Sequence, residues 1–222
     1  MTSVLHLVRH AQASFGAADY DNLSAIGHEQ SRALGVALAR QGIVPDAVFI
    51  GEQRRHRQTW EGIAQGLERA YEPIVVPGLN EFDFKGLLDA RFAAGGAPAG
   101  LHDDRKTHFR MLRDTVLMWQ CDEITNPPET FAAFSERVRA ARDVMAQRDA
   151  KTCLAVSSGG AIGQMITDAL GAPADQMVTL QLQTKNCAVA RFVLSGDRAW
   201  LNGFNETPHI DASNESTMLT YS

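Results

Sequence analysis

No run of about 18 consecutive apolar residues occurs in this sequence, so no helix in it is expected to cross a membrane. Cysteine is scarce. Cys121, Cys153 and Cys187 fit neither a C-x-x-C metal pair nor a small disulfide framework. An odd number of thiols in a chain of 222 residues suits a reducing compartment, and a cytoplasmic location is expected. Basic charge is not in excess: 21 Lys and Arg face 26 Asp and Glu, a net of −5, which argues against a general nucleic-acid binder. The first ten residues, Met1 to His10, lack a charged leader and carry only a short apolar run, so they do not read as a signal peptide. Internal repeats are missing too. What is there is ordinary for a folded globular protein, with 45% hydrophobic and 21% charged residues. The length is generous for one domain and short for two. It is read as one domain, residues 1–222, with an insertion at 85–128.

Short apolar segments alternate with helical patterns. Val4 to Val8, Ala47 to Ile50, Ile74 to Val76 and Thr152 to Val156 are too short for helices and read as buried strands. Cys187 to Leu194 and Ala199 to Leu201 read as later strands joined at Gly196-Asp197. Between them, Ser24 caps a helix with Ile26, Ala33, Leu34, Ala37 and Leu38 on one stripe, and Gly42 ends it. Arg55 to Leu67 reads as a helix with Ile63 and Leu67 inward. Arg105 to Cys121 is helical by the spacing of Phe109, Leu112, Val116 and Trp119. Thr130 caps another helix through Phe134, Val138, Ala141 and Met145, and Ser157-Ser158-Gly159-Gly160 turns into a helix bearing Ile162, Ile166 and Leu170. From Lys85 to Pro128 the pattern loosens, with a Gly- and Ala-rich loop at 93–100. Alternating strands and helices predict a three-layer α/β/α sandwich around a mostly parallel sheet, with a helical insertion.

Ligands of such folds bind beyond the carboxyl ends of the strands. Arg9 and His10 follow the first strand, Gly51 to Arg57 the second, Glu81 the third, and Ser157 to Gly160 the fourth. Arginine presents a forked cation that matches phosphate oxygens. Histidine is a nucleophile near neutral pH, and a carboxyl group can donate a proton. A glycine-rich helix start offers backbone N–H groups to an anion.

These segments carry a resemblance. Leu7-Val8-Arg9-His10-Ala11 resembles the Arg-His-Gly signature of the histidine phosphatase superfamily, the phosphoglycerate-mutase-like proteins. Leu23-Ser24-Ala25-Ile26-Gly27-His28-Glu29-Gln30 is similar to the family's Leu-Thr-x-x-Gly-x-x-Gln segment, and Arg55-His56-Arg57-Gln58-Thr59 to its Arg-x-x-Gln-Thr segment. Leu79-Asn80-Glu81 resembles its Leu-x-Glu acid segment, Val156-Ser157-Ser158-Gly159-Gly160 its late strand-to-helix turn, and Asn205 to Ile210 its terminal Asn-x-x-x-His-Leu. The resemblance implies a phosphomonoester hydrolase. His10 would become a phosphohistidine and Glu81 would protonate the leaving oxygen. Arg9 and Arg55, with Ser158 and Gly159, would hold the phosphoryl oxygens. It implies no metal and no cofactor. The expected partner is a small phosphorylated substrate, with no nucleic acid and no membrane, and the oligomeric state is not legible. A mutase is disfavoured, because Glu81-Phe82-Asp83-Phe84-Lys85 replaces the Glu-Arg-His-Tyr-Gly of mutases.

Departures from the family pattern matter. Ala11 stands for a glycine and Gly51 for a serine, both read as small changes. Gly16 stands where phosphoglycerate mutases carry a phosphate-contacting asparagine. Ser158 stands for the second histidine, and its hydroxyl is a shorter and weaker donor, so weakened turnover is expected. The alternative reading is a non-catalytic phospho-ligand or protein-binding module on the same fold. Asp83 rivals Glu81 as the acid. Arg54 and Arg57 read as solvated helix residues. His6 reads as a strand histidine. His28, His56, His102 and His108 read as surface or insertion residues, and His209 as a neighbour of the pocket. Trp60, Trp119 and Trp200 are expected to pack.

Overall fold

A computed structural model of the chain describes residues 2–14, 21–96 and 105–221. Gly16, His102, the side chain of His108 and the 97–100 part of the Gly- and Ala-rich loop lie outside the described residues.

Six strands form one sheet: β1 (Thr2–Arg9), β2 (Ala47–Ile50), β3 (Ile74–Val75), β4 (Thr152–Ser157), β5 (Val189–Ser195) and β6 (Arg198–Glu206). Their order is β3-β2-β4-β1-β5-β6. The pairs β1–β4, β2–β4 and β2–β3 are parallel, while β5 runs antiparallel to β1 and forms a hairpin with β6. The parallel strands are continuous apolar runs because both faces are covered. Alternate side chains go to opposite faces. Leu5, Leu7, Phe49, Cys153 and Ala155 join one apolar cluster, and Val8, Val48, Ile50, Leu154 and Val156 join a second.

The second cluster is closed by α1 (Ala25–Arg40) and α2 (Arg54–Leu67), through Leu34, Leu38, Trp60, Ile63 and Leu67. The first is closed by α4 (Arg105–Gln120), α5 (Phe131–Ala146), α6 (Gly159–Leu170) and α7 (Gln176–Gln183), so the fold is a three-layer α/β/α arrangement. Ser24 accepts a hydrogen bond from the Gly27 N–H at 3.0 Å, and Thr130 one from the Ala133 N–H at 3.2 Å, as capping residues do. Two short helices, α3 (Phe84–Arg91) and α8 (Glu215–Met218), escaped the sequence reading, as did α7. Eight residues or fewer give too few turns for a periodic stripe to show. Ile26, Leu170 and Trp200 are 37%, 58% and 46% exposed, against expectation. The first lies in the opening turn of α1 and the second in the closing turn of α6, while Trp200 lies on the edge strand β6, where neighbours are few.

An aromatic cluster ties the 105–146 helices to the segment that carries Glu81. Phe82 stacks near Trp119 of α4 at 5.2 Å and meets Phe134 of α5 edge-on at 5.6 Å. Trp119 is 1% exposed and donates its indole N–H to the Glu129 carbonyl at 2.8 Å. Trp119→Ala is expected to cost about 3–5 kcal/mol through the cavity it leaves. Trp119→Phe should cost much less, because it keeps a ring against Phe82. Urea unfolding of both variants reads this directly, and equal losses would place the stabilisation in the indole N–H rather than in ring packing.

Candidate active site

Strand register decides which groups meet. Arg9 lies opposite Ser157 in the β1–β4 pair, and Ile50 opposite Val156 in the β2–β4 pair. The His10 N–H therefore donates to the Ser157 carbonyl at 2.8 Å, and the Gly51 N–H to the Val156 carbonyl at 3.3 Å. Three strand ends open onto one recess.

His10 is 3% exposed, and its Nδ1 lies 2.8 Å from the carbonyl oxygen of Ala11. A carbonyl only accepts, so Nδ1 carries the proton and the Nε2 lone pair is left for chemistry. Burial pushes the imidazole pKa well below its usual value, and the nearby Arg55, Arg9 and His56 push it the same way. The ring is thus held neutral.

Arg9 is buried and donates Nη1 to the carbonyls of Thr184 and Tyr221. Thr184 follows α7, so Arg9 sits at the negative end of that helix. Arg55, 6% exposed, is braced on three sides: Nη1 pairs with Asp21 at 2.8 Å, and Nη2 reaches the Gln53 side-chain oxygen at 2.8 Å and the Ser158 hydroxyl at 3.4 Å. By contrast Arg57 is half-exposed in a long contact with Glu72, and Arg54 reaches Asn22 on an exposed edge.

Glu81 is partly buried, and its carboxylate turns inward. One oxygen accepts from the Gly160 N–H at 3.0 Å and the other from the Phe82 N–H at 3.2 Å. This close approach needs glycine, since a Cβ at residue 160 would fall 2.2 Å from Glu81 Oε1, the oxygen bonded to Phe82, and 2.5 Å from the Phe82 ring. Burial raises the carboxyl pKa, against the opposing pull of its N–H donors and of Arg55 and Arg9. Asp83 is exposed and instead caps α3, accepting from the Gly86 N–H at 2.9 Å. The segment is held from outside by Arg137, which donates to the carbonyls of Asn80 at 2.8 Å and Glu81 at 3.4 Å while paired with Glu129. Gly159 packs beside Arg9, whose Nε would lie 3.6 Å from a Cβ there.

Sequence reasoning missed several site residues. His56, expected at the surface, is fully buried, with Nε2 2.8 Å from the Ser158 hydroxyl and its ring 5.9 Å from that of His10. Its place in the first turn of a strongly amphipathic α2 was the available signal. Asp21 and Gln53 carried no such signal, because they act through loop geometry. His209 is buried, but it lines a separate hollow with Glu29, Arg32 and Met218. Among the described residues no group of three His, Cys, Asp or Glu could hold a metal ion.

A sequence model described as the histidine phosphatase superfamily (branch 1) matches residues 5–207. The chain belongs to the histidine phosphatase superfamily. Solved structures share this histidine phosphatase fold. An alpha-ribazole phosphatase from Shigella flexneri is 22% identical, with 92% of this chain and 96% of that one covered and a TM-score of 0.67. A phosphoglycerate mutase from Bacillus anthracis is 18% identical, covering 94% and 95%, with a TM-score of 0.66. A phosphoserine phosphatase from Entamoeba histolytica in complex with 3-phosphoglyceric acid is 18% identical, covering 93% and 98%, with a TM-score of 0.64. No curated protein matches the sequence. In this histidine phosphatase the other signature residues brace the recess. Thr59 accepts from the Ala11 N–H at 3.0 Å and donates to the Arg55 carbonyl at 2.7 Å, while Gln58 accepts from the Leu23 N–H at 2.9 Å. Gln30 accepts from the Gln12 N–H at 2.9 Å and donates to Thr220 near the C-terminus at 2.8 Å.

Arg55→Ala is expected to weaken orthovanadate binding on the order of 10–100-fold, the loss of a charge-assisted contact worth about 1.5–3 kcal/mol. Isothermal titration measures it. Unchanged affinity in both Arg9→Ala and Arg55→Ala would remove the two-arginine clamp.

Proposed function

We propose that this histidine phosphatase hydrolyses a small phosphomonoester through a phosphohistidine on His10. The observation that carries this reading is the protonated Nδ1 of His10 held on the Ala11 carbonyl, which leaves Nε2 unprotonated beside Arg9, Arg55 and a raised carboxyl group. Nε2 attacks phosphorus as the ester oxygen leaves, taking a proton from Glu81. The Ala11 carbonyl stabilises the positive charge that grows on the ring. Arg9 and Arg55 neutralise the equatorial oxygens, and the Gly159 end of α6 and Ser158 lie against the same anion. Glu81, now a carboxylate, takes a proton from water as that water attacks phosphorus, which breaks the P–N bond and restores His10. Family membership and the phosphatases among the structural neighbours support hydrolysis. The neighbours that handle phosphoserine, 3-phosphoglyceric acid and alpha-ribazole phosphate support a small phosphorylated metabolite as substrate class.

The test is direct. Label from a phosphorylated substrate, trapped by rapid quench, should be acid-labile and base-stable, as a phosphoramidate is. It should vanish in His10→Ala. Label that persists in that variant would overturn the assignment.

The shifts set a pH window. His10 must be neutral, so lowering its pKa moves the acid limb of kcat/KM to lower pH. Glu81 must be protonated, so raising its pKa moves the alkaline limb upward from the usual carboxylate range. The expected profile is a bell with its optimum on the acid side of neutrality. Glu81→Ala should lose far more rate on an alkyl phosphate than on p-nitrophenyl phosphate, whose leaving group needs little protonation. Equal losses on both would show that Glu81 does not protonate the leaving oxygen.

A further inference from the structure

Three residues at the recess fit together as one unit. His56 is fully buried at the start of α2. Its Nε2 lies 2.8 Å from Ser158 Oγ, which also lies 3.4 Å from Arg55 Nη2 and 3.3 Å from the Gln53 side-chain oxygen. The ring is 5.9 Å from His10, centre to centre. On its far side, a Cβ at Gly51 would fall 2.4 Å from His56 Nδ1 and 2.5 Å from Asn80 Oδ1, so only glycine at 51 leaves room for this ring. An imidazole at 158 would in turn compete for the volume that the His56 ring fills. Gly51, His56 and Ser158 therefore form a coupled set: one clears the space, one fills it, and one receives its hydrogen bond. Two of the three, Gly51 and Ser158, are among the positions at which the sequence departs from the family pattern.

The tautomer follows from the partners. Nδ1 has no hydrogen-bond partner among the described residues. A buried acceptor left bare is tolerated more readily than a buried N–H left bare. The proton thus belongs on Nε2, which donates to Ser158 Oγ. That bond occupies an oxygen lone pair and leaves the hydroxyl proton free to point elsewhere. In the resting site it points to Gln53, which already accepts from Arg55 at 2.8 Å.

We infer that His56 is a positioning residue which, acting through Ser158, supplies the phosphoryl-oxygen donor that the family draws from a histidine at position 158. Resting on the phosphohistidine reading above, the relay runs from His56 Nε2–H to Ser158 Oγ, and from the Ser158 hydroxyl to an equatorial oxygen of the transferring group. No proton changes owner in it. The imidazole orients and polarises the hydroxyl, so that a short side chain delivers a donor stronger than serine alone. Binding of the ground-state dianion rests on the arginines. The relay acts on the charge that grows in the transition state, and its loss falls on kcat rather than KM.

The experiment compares wild type with His56→Gln, His56→Leu, Ser158→His, the double variant His56→Ala/Ser158→His and His10→Ala. Each is assayed on p-nitrophenyl phosphate, titrated with orthovanadate and inorganic phosphate, and checked by thermal melting. His56→Leu fills the space without a donor, and kcat should fall on the order of 10²-fold with little change in KM. His56→Gln places an amide N–H near the same point and should recover at least tenfold of that loss. Vanadate affinity should follow kcat through the series, and phosphate affinity should not. Ser158→His alone should lower kcat, because two rings compete for one site, and the double variant should exceed it by tenfold or more. A His56→Leu variant within twofold of wild type in kcat and vanadate affinity would overturn the inference. So would His56→Gln and His56→Leu being equally impaired while both fold. Turnover that survives His10→Ala would strike the phosphohistidine reading instead, and the vanadate series still decides the role of His56.

Discussion

The parallel pairing of β1 with β4 is the constraint on which the rest of the site depends. Its register sets Arg9 opposite Ser157, and the bond from His10 N–H to the Ser157 carbonyl carries that register one residue past the strand end. A slip of one residue would turn every side chain to the other face of the sheet. Here that would send His10 and Ser158 apart and take Leu5 and Leu7, both fully buried, out of the apolar cluster they fill. The apolar layers on each face therefore hold the chemistry in place without touching it.

Burial then decides the state of each polar group. The recess gathers Arg9, Arg55, His10, His56 and Glu81, and a low local dielectric sharpens every interaction among them. Both imidazoles are kept neutral: desolvation is joined by Arg55 and Arg9 at His10, and by Arg55 at His56. On Glu81 the two effects oppose each other, and desolvation prevails. A lowered imidazole pKa and a raised carboxyl pKa coexist because one apolar setting moves the two in opposite directions. Asp21, Thr184 and Gln53 hold the two arginines in fixed orientations.

Arg137 and Trp119 show how distant residues share in this. Arg137 reaches the carbonyls of Gly78, Asn80 and Glu81, while Trp119 packs on Phe82. Neither reaches His10, yet both fix where the Glu81 carboxyl points. The close approach of that carboxyl to α6 at Gly160 completes the arrangement. It also means that the Gly160 N–H serves Glu81 in the resting site rather than standing open to phosphate.

The sequence by itself determined the layers of the fold, where its main strands lie along the chain and the positions of Arg9, His10, Arg55, Glu81 and Ser158 beyond strand ends. Apolar runs have a period, and strand ends follow from where that period stops. It also separated Arg55 from its neighbours Arg54 and Arg57, by motif register. The short helices α3, α7 and α8 escaped, since a few residues do not make a periodic pattern. Only the tertiary structure decided the rest. Glu81 rather than Asp83 turns inward because Asp83 is spent on capping α3, a choice two positions apart that no spacing encodes. His56 reads as one more polar residue in a basic stretch, and its burial depends on the absence of a side chain at Gly51 and the shortness of Ser158, five and 102 positions away. Contacts across such separations depend on how three elements meet, and that is a property of packing rather than of any local pattern.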